Sequence, residues 1–152
     1  MRNLDKALAN NVFELPVRVY YEDTDAAGIV FYANYLKFAE RARTELLRRF
    51  GIENSGVSSR DGTAFAVRSC TIDYLRPAHL DDLLSVETRI TEIGGASMTM
   101  TQTVVRDGEP VNEMTVRLVC MYIEGDNRGK ATRIPADVRQ ALEEFSGLKS
   151  AR

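Results

Sequence analysis

Residues 33–50 read Ala33-Asn34-Tyr35-Leu36-Lys37-Phe38-Ala39-Glu40-Arg41-Ala42-Arg43-Thr44-Glu45-Leu46-Leu47-Arg48-Arg49-Phe50, with neither proline nor glycine. Leu36, Ala39, Leu46, Leu47 and Phe50 recur at helical spacing, joined by Tyr35, Phe38 and Ala42. Arg48 and Arg49 place cations in the last turn, where they suit the helix dipole. Gly51 follows as the expected cap. At 1.5 Å per residue the helix spans about 27 Å. Its apolar face is wide, so another element must wrap it.

The flanking sequence supplies that element. Before the helix, Val17, Val19 and Tyr21 alternate with Arg18, Tyr20 and Glu22, which predicts a strand opening at Pro16. After it, residues 63–76 form a strand that ends before Pro77. In 83–93, Leu84, Val86 and Ile90 alternate with polar residues. Gly94-Gly95 predicts a turn, and Met98, Met100 and Val104 belong to the next strand. Asp107-Gly108 is a tight-hairpin signal. Met114, Val116, Leu118, Cys120 and Tyr122 line one side of the last strand. A polar loop over 124–130 leads to a short helix near 135–146. One strand, one long apolar helix and four strands joined mostly by short turns define an α+β fold. Its antiparallel sheet of about five strands curls around the helix. Residues 13–148 are expected to form one domain after a polar, loosely held segment 1–12. An open sheet leaves edges that a second copy covers by pairing, so a homodimer or larger assembly is expected.

The chain has 152 residues, 44% hydrophobic and 28% charged, which is a globular composition. Twenty Lys and Arg against 22 Asp and Glu leave a formal charge of −2, without the basic excess of a nucleic-acid binder. No apolar run reaches the roughly 18 residues of a membrane span, and the first residues lack the apolar stretch of a signal peptide. Cys70 and Cys120 are too few for a disulfide scaffold and fit no metal spacing, so both read as small core residues. A reducing cytoplasm is the expected location.

The chemistry concentrates between the first strand and the helix, in Glu22-Asp23-Thr24-Asp25-Ala26-Ala27-Gly28-Ile29-Val30-Phe31-Tyr32. Carboxylates follow an apolar strand, Gly28 permits a tight turn, and the helix that follows begins with unpaired N–H groups and partial positive charge. That is equipment for stabilising a developing oxyanion beside a carboxylate. Asp and Thr ahead of a helix are also ordinary cap and turn formers. The apolar run Ile29-Val30-Phe31 weighs the other way, because in a turn it must line a pocket or a core.

The run from Arg18 to Tyr35 closely resembles the active-site signature of the 4-hydroxybenzoyl-CoA thioesterase family, whose members have the hotdog fold. Glu40-Arg41-Ala42-Arg43-Thr44-Glu45 and Arg76-Pro77-Ala78-His79-Leu80-Asp81-Asp82 resemble the branch found beside the Tol-Pal envelope genes. The resemblance covers roughly residues 15–135. It implies an acyl-CoA thioesterase whose catalytic carboxylate falls on Asp25, acting as nucleophile or as general base. It also implies an oxyanion donor at the backbone N–H of Tyr32, and substrate contacts at Gly28, Val30, Phe31 and Asn34. Many Tol-Pal relatives carry His where this chain has Tyr32. No metal or cofactor is implied, coenzyme A being part of the substrate. The family's pockets lie at dimer interfaces, in homodimers or homotetramers, and an acyl carrier protein is a further partner the resemblance admits. A non-catalytic adaptor that binds acyl groups or carrier protein is the alternative.

His79, the only histidine, reads as a solvent-facing turn residue. Asp81 and Asp82 read as strand-bounding residues, and Asp23 and Glu22 either orient Asp25 or face water. Glu40, Arg41, Arg43 and Glu45 read as a polar helix face or an interface network. Arg128, Lys130 and Arg133 read as a solvated loop.

Overall fold

The computed structural model describes residues 11–52 and 62–150. The segment 1–12 expected to be loosely held lies almost wholly outside these residues. At its end, Val12 is buried. Strand β1 (Phe13–Arg18) is followed by a single 3-10 turn (Tyr21–Asp23) and helix α1 (Asn34–Arg49). Strands β2 (Thr63–Tyr74), β3 (Leu83–Ile93), β4 (Ser97–Arg106) and β5 (Glu109–Tyr122) follow, and helix α2 (Ala136–Ser146) ends the order. The five strands form one antiparallel sheet in the order β1-β3-β4-β5-β2. β1 and β2 are neighbours in sequence but occupy opposite edges, so α1 must cross the face of the sheet between them.

The local rules explain these elements. Asp107 and Gly108 both have positive φ, 51° and 79°, which closes a tight turn between Arg106 and Glu109. α1 ends at Gly51 (φ 79°), where Ile52 N–H donates to the Leu47 carbonyl and Gly51 N–H to that of Arg48. This is the glycine-dependent cap in which the chain turns back and Ile52 meets Leu47. Register shifts at Val67/Ser69, Ile90/Glu92 and Val104/Val105 mark bulges, which bend the strands and curl the sheet toward the helix.

α1 buries Tyr35, Phe38, Ala39, Ala42, Leu46 and Leu47. Facing them are Val86 and Ile90 of β3, Met98, Met100 and Val104 of β4, and Met114, Val116 and Leu118 of β5. Full burial of each large apolar side chain contributes about 1.5–3 kcal/mol. α2 adds Val138, Leu142 and Phe145, whose ring lies 5.8 Å from that of Phe50. Arg139 of α2 donates to the carbonyls of Gly94 and Gly95, tying this helix to the β3–β4 turn.

Several sequence readings need correction. Leu36 is exposed, because the buried stripe turns past it. Cys70 is exposed on edge strand β2, whereas Cys120 on the core side of β5 is buried. The strand alternation also hid polar residues in the core rows. Thr88 and Gln102 stand among the apolar residues of β3 and β4 and are both fully enclosed. Gln102 Nε2 donates to the Ala39 carbonyl at 2.9 Å and to Thr88 Oγ1 at 3.0 Å, and its Oε1 accepts from Arg43 Nη1 at 2.9 Å. The small side chains of Ala39 and Ala42 allow the close approach this needs. Arg43 therefore reaches toward the sheet and is not part of a solvated helix face. By contrast, buried Asn112 of β5 has no partner for either side-chain atom among the described residues.

These two amides differ in a testable way. Gln102→Leu is expected to cost roughly 1–3 kcal/mol, since it strands buried polar groups, whereas Asn112→Leu breaks no bond and is expected to be neutral or stabilising. Urea unfolding of both variants at unchanged slope checks this, and equal losses would contradict it.

Candidate active site

The loop between β1 and α1 is built around Asp23. Its buried carboxylate accepts the Tyr20 N–H at 2.8 Å and caps the 3-10 turn. Its carbonyl accepts both the Phe31 N–H at 2.9 Å and Asn34 Nδ2 at 2.8 Å. Asp23 thus has a structural task, while Glu22 is exposed to solvent. Asn34, expected to contact substrate, uses its amide nitrogen to clamp the start of α1 to this loop.

Thr24 and Val30 pair across the loop. Inside that pair, Asp25 N–H donates to the Ile29 carbonyl and Gly28 N–H donates to that of Asp25, each at 3.0 Å. Gly28, at φ 77°, adopts a left-handed conformation that disfavours other residues. Asp25 Oδ1 accepts the Ala27 N–H at 2.9 Å. This is the turn-forming role its residue type allows, and it leaves Oδ2 without a described partner. The tight loop therefore displays a carboxylate with one oxygen available for chemistry. In the isolated chain Asp25 is exposed. It lines none of the cavities bounded by Glu40 to Leu118, Arg133 to Glu143 or Leu15 to Arg41.

Tyr32 immediately precedes the cap residue of α1, Ala33. The Phe31 N–H is occupied by the Asp23 carbonyl and the Asn34 N–H by the Phe31 carbonyl at 2.8 Å, while among the described residues the Ala33 N–H has no partner. The Tyr32 N–H is not taken by any described residue. An unpaired amide at a helix start is a donor for negative charge. Val30 is buried in the main core, and Phe31 and Tyr32 are exposed.

An aromatic belt that sequence spacing did not reveal surrounds this point. The Tyr32 ring lies 4.9 Å from Phe31 and 6.2 Å from Tyr74, and Tyr35 lies 5.9 Å from Tyr74 and 6.0 Å from Phe38. Tyr74 Oη, from the end of β2, donates to the Tyr32 carbonyl at 2.9 Å. Its place as the last residue of β2 carries no sequence signal for this role.

The connection between β2 and β3 braces the loop from the other side. The Ala78 carbonyl accepts Val30 N–H at 2.8 Å, and Ile29 pairs with His79. Ala78 N–H donates to Tyr35 Oη at 3.1 Å. Burial pushes the Tyr35 hydroxyl above its ordinary pKa despite that amide, so it remains a neutral acceptor. His79 is a half-exposed turn residue. The Asp82 carboxylate accepts the His79 N–H and Arg106 Nη1, both at 2.8 Å. Partial burial opposes ionisation of Asp82, but the His79 amide and the Arg106 guanidinium together outweigh it and hold its carboxyl below the ordinary value. Arg128, Lys130 and Arg133 are exposed.

A model of the Thioesterase superfamily matches residues 27–112, more than half of the chain. Acyl-CoA thioesterase YbgC of Haemophilus influenzae is 40% identical over 135 residues, covering 89% of this chain and 97% of the relative. Acyl-CoA thioester hydrolase YbgC of Escherichia coli O6:H1 is 45% identical over 111 residues, covering 72% and 82%. The structure of 4-hydroxybenzoyl-CoA thioesterase from Pseudomonas sp. strain CBS-3 is similar with a TM-score of 0.78 at 24% identity, covering 86% of this chain and 98% of the other, and bears on the fold. The chain belongs to the thioesterase superfamily, with its hotdog fold, and is a thioester hydrolase.

The brace at Asp82 gives a prediction with a definite sign. A carboxyl held below its ordinary value stabilises the folded state fully above that value, 3.8, and loses the contribution as pH falls through the lower folded value. Asp82→Asn should therefore lower Tm near neutral pH, and the gap to wild type should close as pH falls below 3.8. A gap independent of pH would assign the effect to packing.

Proposed function

We propose that this chain hydrolyses acyl-CoA thioesters to a free acid and coenzyme A. The observation that carries the reading is the loop itself. It displays Asp25 with Oδ2 free, and it ends at the unpaired Tyr32 amide ahead of α1. The 40% and 45% identities to proteins named as acyl-CoA thioesterases support the substrate class. They give the adaptor alternative no support.

In the reaction, the thioester carbonyl oxygen accepts the Tyr32 N–H, and the helix dipole stabilises negative charge as it grows. Asp25 then follows one of two routes. As nucleophile, it forms a mixed anhydride and releases the thiolate, and water cleaves the anhydride. As general base, it takes a proton from water as that water attacks the carbon, and the thiolate leaves. Neither route asks for a cofactor or a metal.

The exposed loop is to be completed by a second copy. The outer edge of β2 presents unpaired backbone groups with exposed Val67, Tyr74 and Leu75, and edge pairing between two copies covers them. A homodimer, or a homotetramer built from dimers, is the expected assembly. Among the described residues no helix is long and apolar enough to cross a membrane. We place the enzyme in the cytoplasm. The runs Glu40–Glu45 and Arg76–Asp82 support an association with the Tol-Pal envelope system, and an acyl carrier protein is a further candidate partner.

Asp25→Asn is expected to reduce turnover of a cleavable acyl-CoA by about 10²–10⁴-fold, followed by free-thiol release. Activity within a few-fold of wild type would remove Asp25 from the mechanism. His79→Ala is expected to retain nearly full activity in the same assay, and a comparable collapse would argue for a histidine mechanism.

A further inference from the structure

Away from the loop, Glu40, Arg43, Thr44 and Leu47 of α1 face Phe65 and Val67 of β2 and Leu118 of β5 across a cavity of about 210 Å³. Among apolar side chains its walls carry one cation, Arg43, and one carboxylate, Glu40. Arg43 has five N–H donors, and the described structure gives it one hydrogen bond, from Nη1 to Gln102 Oε1 at 2.9 Å. Among the described residues no carboxylate lies within ion-pairing distance of it. Glu40 shares the cavity wall and acts on the guanidinium only at longer range.

This guanidinium is held in place. Gln102 is fully enclosed and anchored on the Ala39 carbonyl and Thr88 Oγ1, so its Oε1 orients Arg43 from inside the core. Burial works against the charge on Arg43, with Glu40 giving partial relief. A partly buried cation whose nearest carboxylate acts only at longer range is costly, and a carboxylate placed directly on it offsets that cost. The neighbouring Glu40 favours a singly charged carboxylate over a phosphate dianion. The apolar walls require that the carboxylate be carried on an apolar body.

We propose that this cavity is a subsite for acyl groups whose far end bears a carboxylate, paired with Arg43. The proposal rests on the acyl-CoA reading and names a substrate class within it. α1 carries Arg43 nine residues beyond Asn34, about 14 Å along the axis, and its side chain leans back toward the helix start. A chain joining the reacting carbonyl to Arg43 is therefore of medium length.

The test compares suberoyl-CoA with octanoyl-CoA, which differ in the terminal carboxylate. Wild type is expected to favour suberoyl-CoA in kcat/KM by roughly tenfold or more, with Arg43→Met erasing the preference and Arg43→Lys retaining part of it. A wild-type ratio near one, or a ratio unchanged in Arg43→Met, overturns the proposal. If Arg43→Met does not fold, Phe65→Trp narrows the cavity from the opposite wall with the Arg43–Gln102 bond intact, and the preference must fall with it. If wild type cleaves neither thioester, the acyl-CoA reading is in question. Calorimetry with suberate then decides the subsite: binding that Arg43→Met abolishes supports it, and no binding overturns it.

Discussion

One carbonyl oxygen, that of Asp23, receives both the Phe31 N–H and the Asn34 side-chain amide, while the carboxylate of the same residue holds the Tyr20 N–H. Three parts of the chain meet there: the end of the first strand, the return of the loop and the start of the helix. With those bonds made, the amide of Phe31 is occupied and those of Tyr32 and Ala33 are left over. The polarity of the candidate site is thus a consequence of which backbone groups the Asp23 turn has already satisfied. A loop without this junction would leave the helix start free to recruit its own cap, and the surplus donor would disappear.

Much of the architecture was legible in the residues. The helix is signalled by an unbroken apolar stripe closed by Gly51, and the β4–β5 hairpin by Asp107-Gly108, because each depends on local geometry alone. The exceptions depend on distant partners. Gln102 sits in an alternating row where an apolar residue belongs, and its bond to the Ala39 carbonyl exists only once helix and sheet are stacked. Cys70 looks like a core residue because strand periodicity does not say which strand lies at an edge. Leu36 fits the helical spacing but falls just outside the arc that the curled sheet covers.

The candidate site shows the same division. Gly28 and the position of Asp25 follow from turn chemistry and from the family signature. The bracing by Tyr74, Ala78 and Asp82 does not, because these residues approach from a connection more than 40 positions away. In sequence Asp23 reads as orienting Asp25 or facing water, since a carboxylate beside another carboxylate does not reveal there that it caps a turn. Its burial and its bond to the Tyr20 N–H replace both readings with a turn cap.

The order of the strands in space has a consequence for how the chain assembles. β3, β4 and β5 form a meander of short hairpins, each closed by only a few residues of loop. β1 and β2 can join only after long stretches of chain have been brought round, with α1 laid across the face between them. Loop-closure entropy therefore favours the meander as the early nucleus and makes the docking of the two outer strands the late event. Those outer strands flank the candidate catalytic loop, so the region proposed to perform the chemistry is also the last to be secured and the first to loosen.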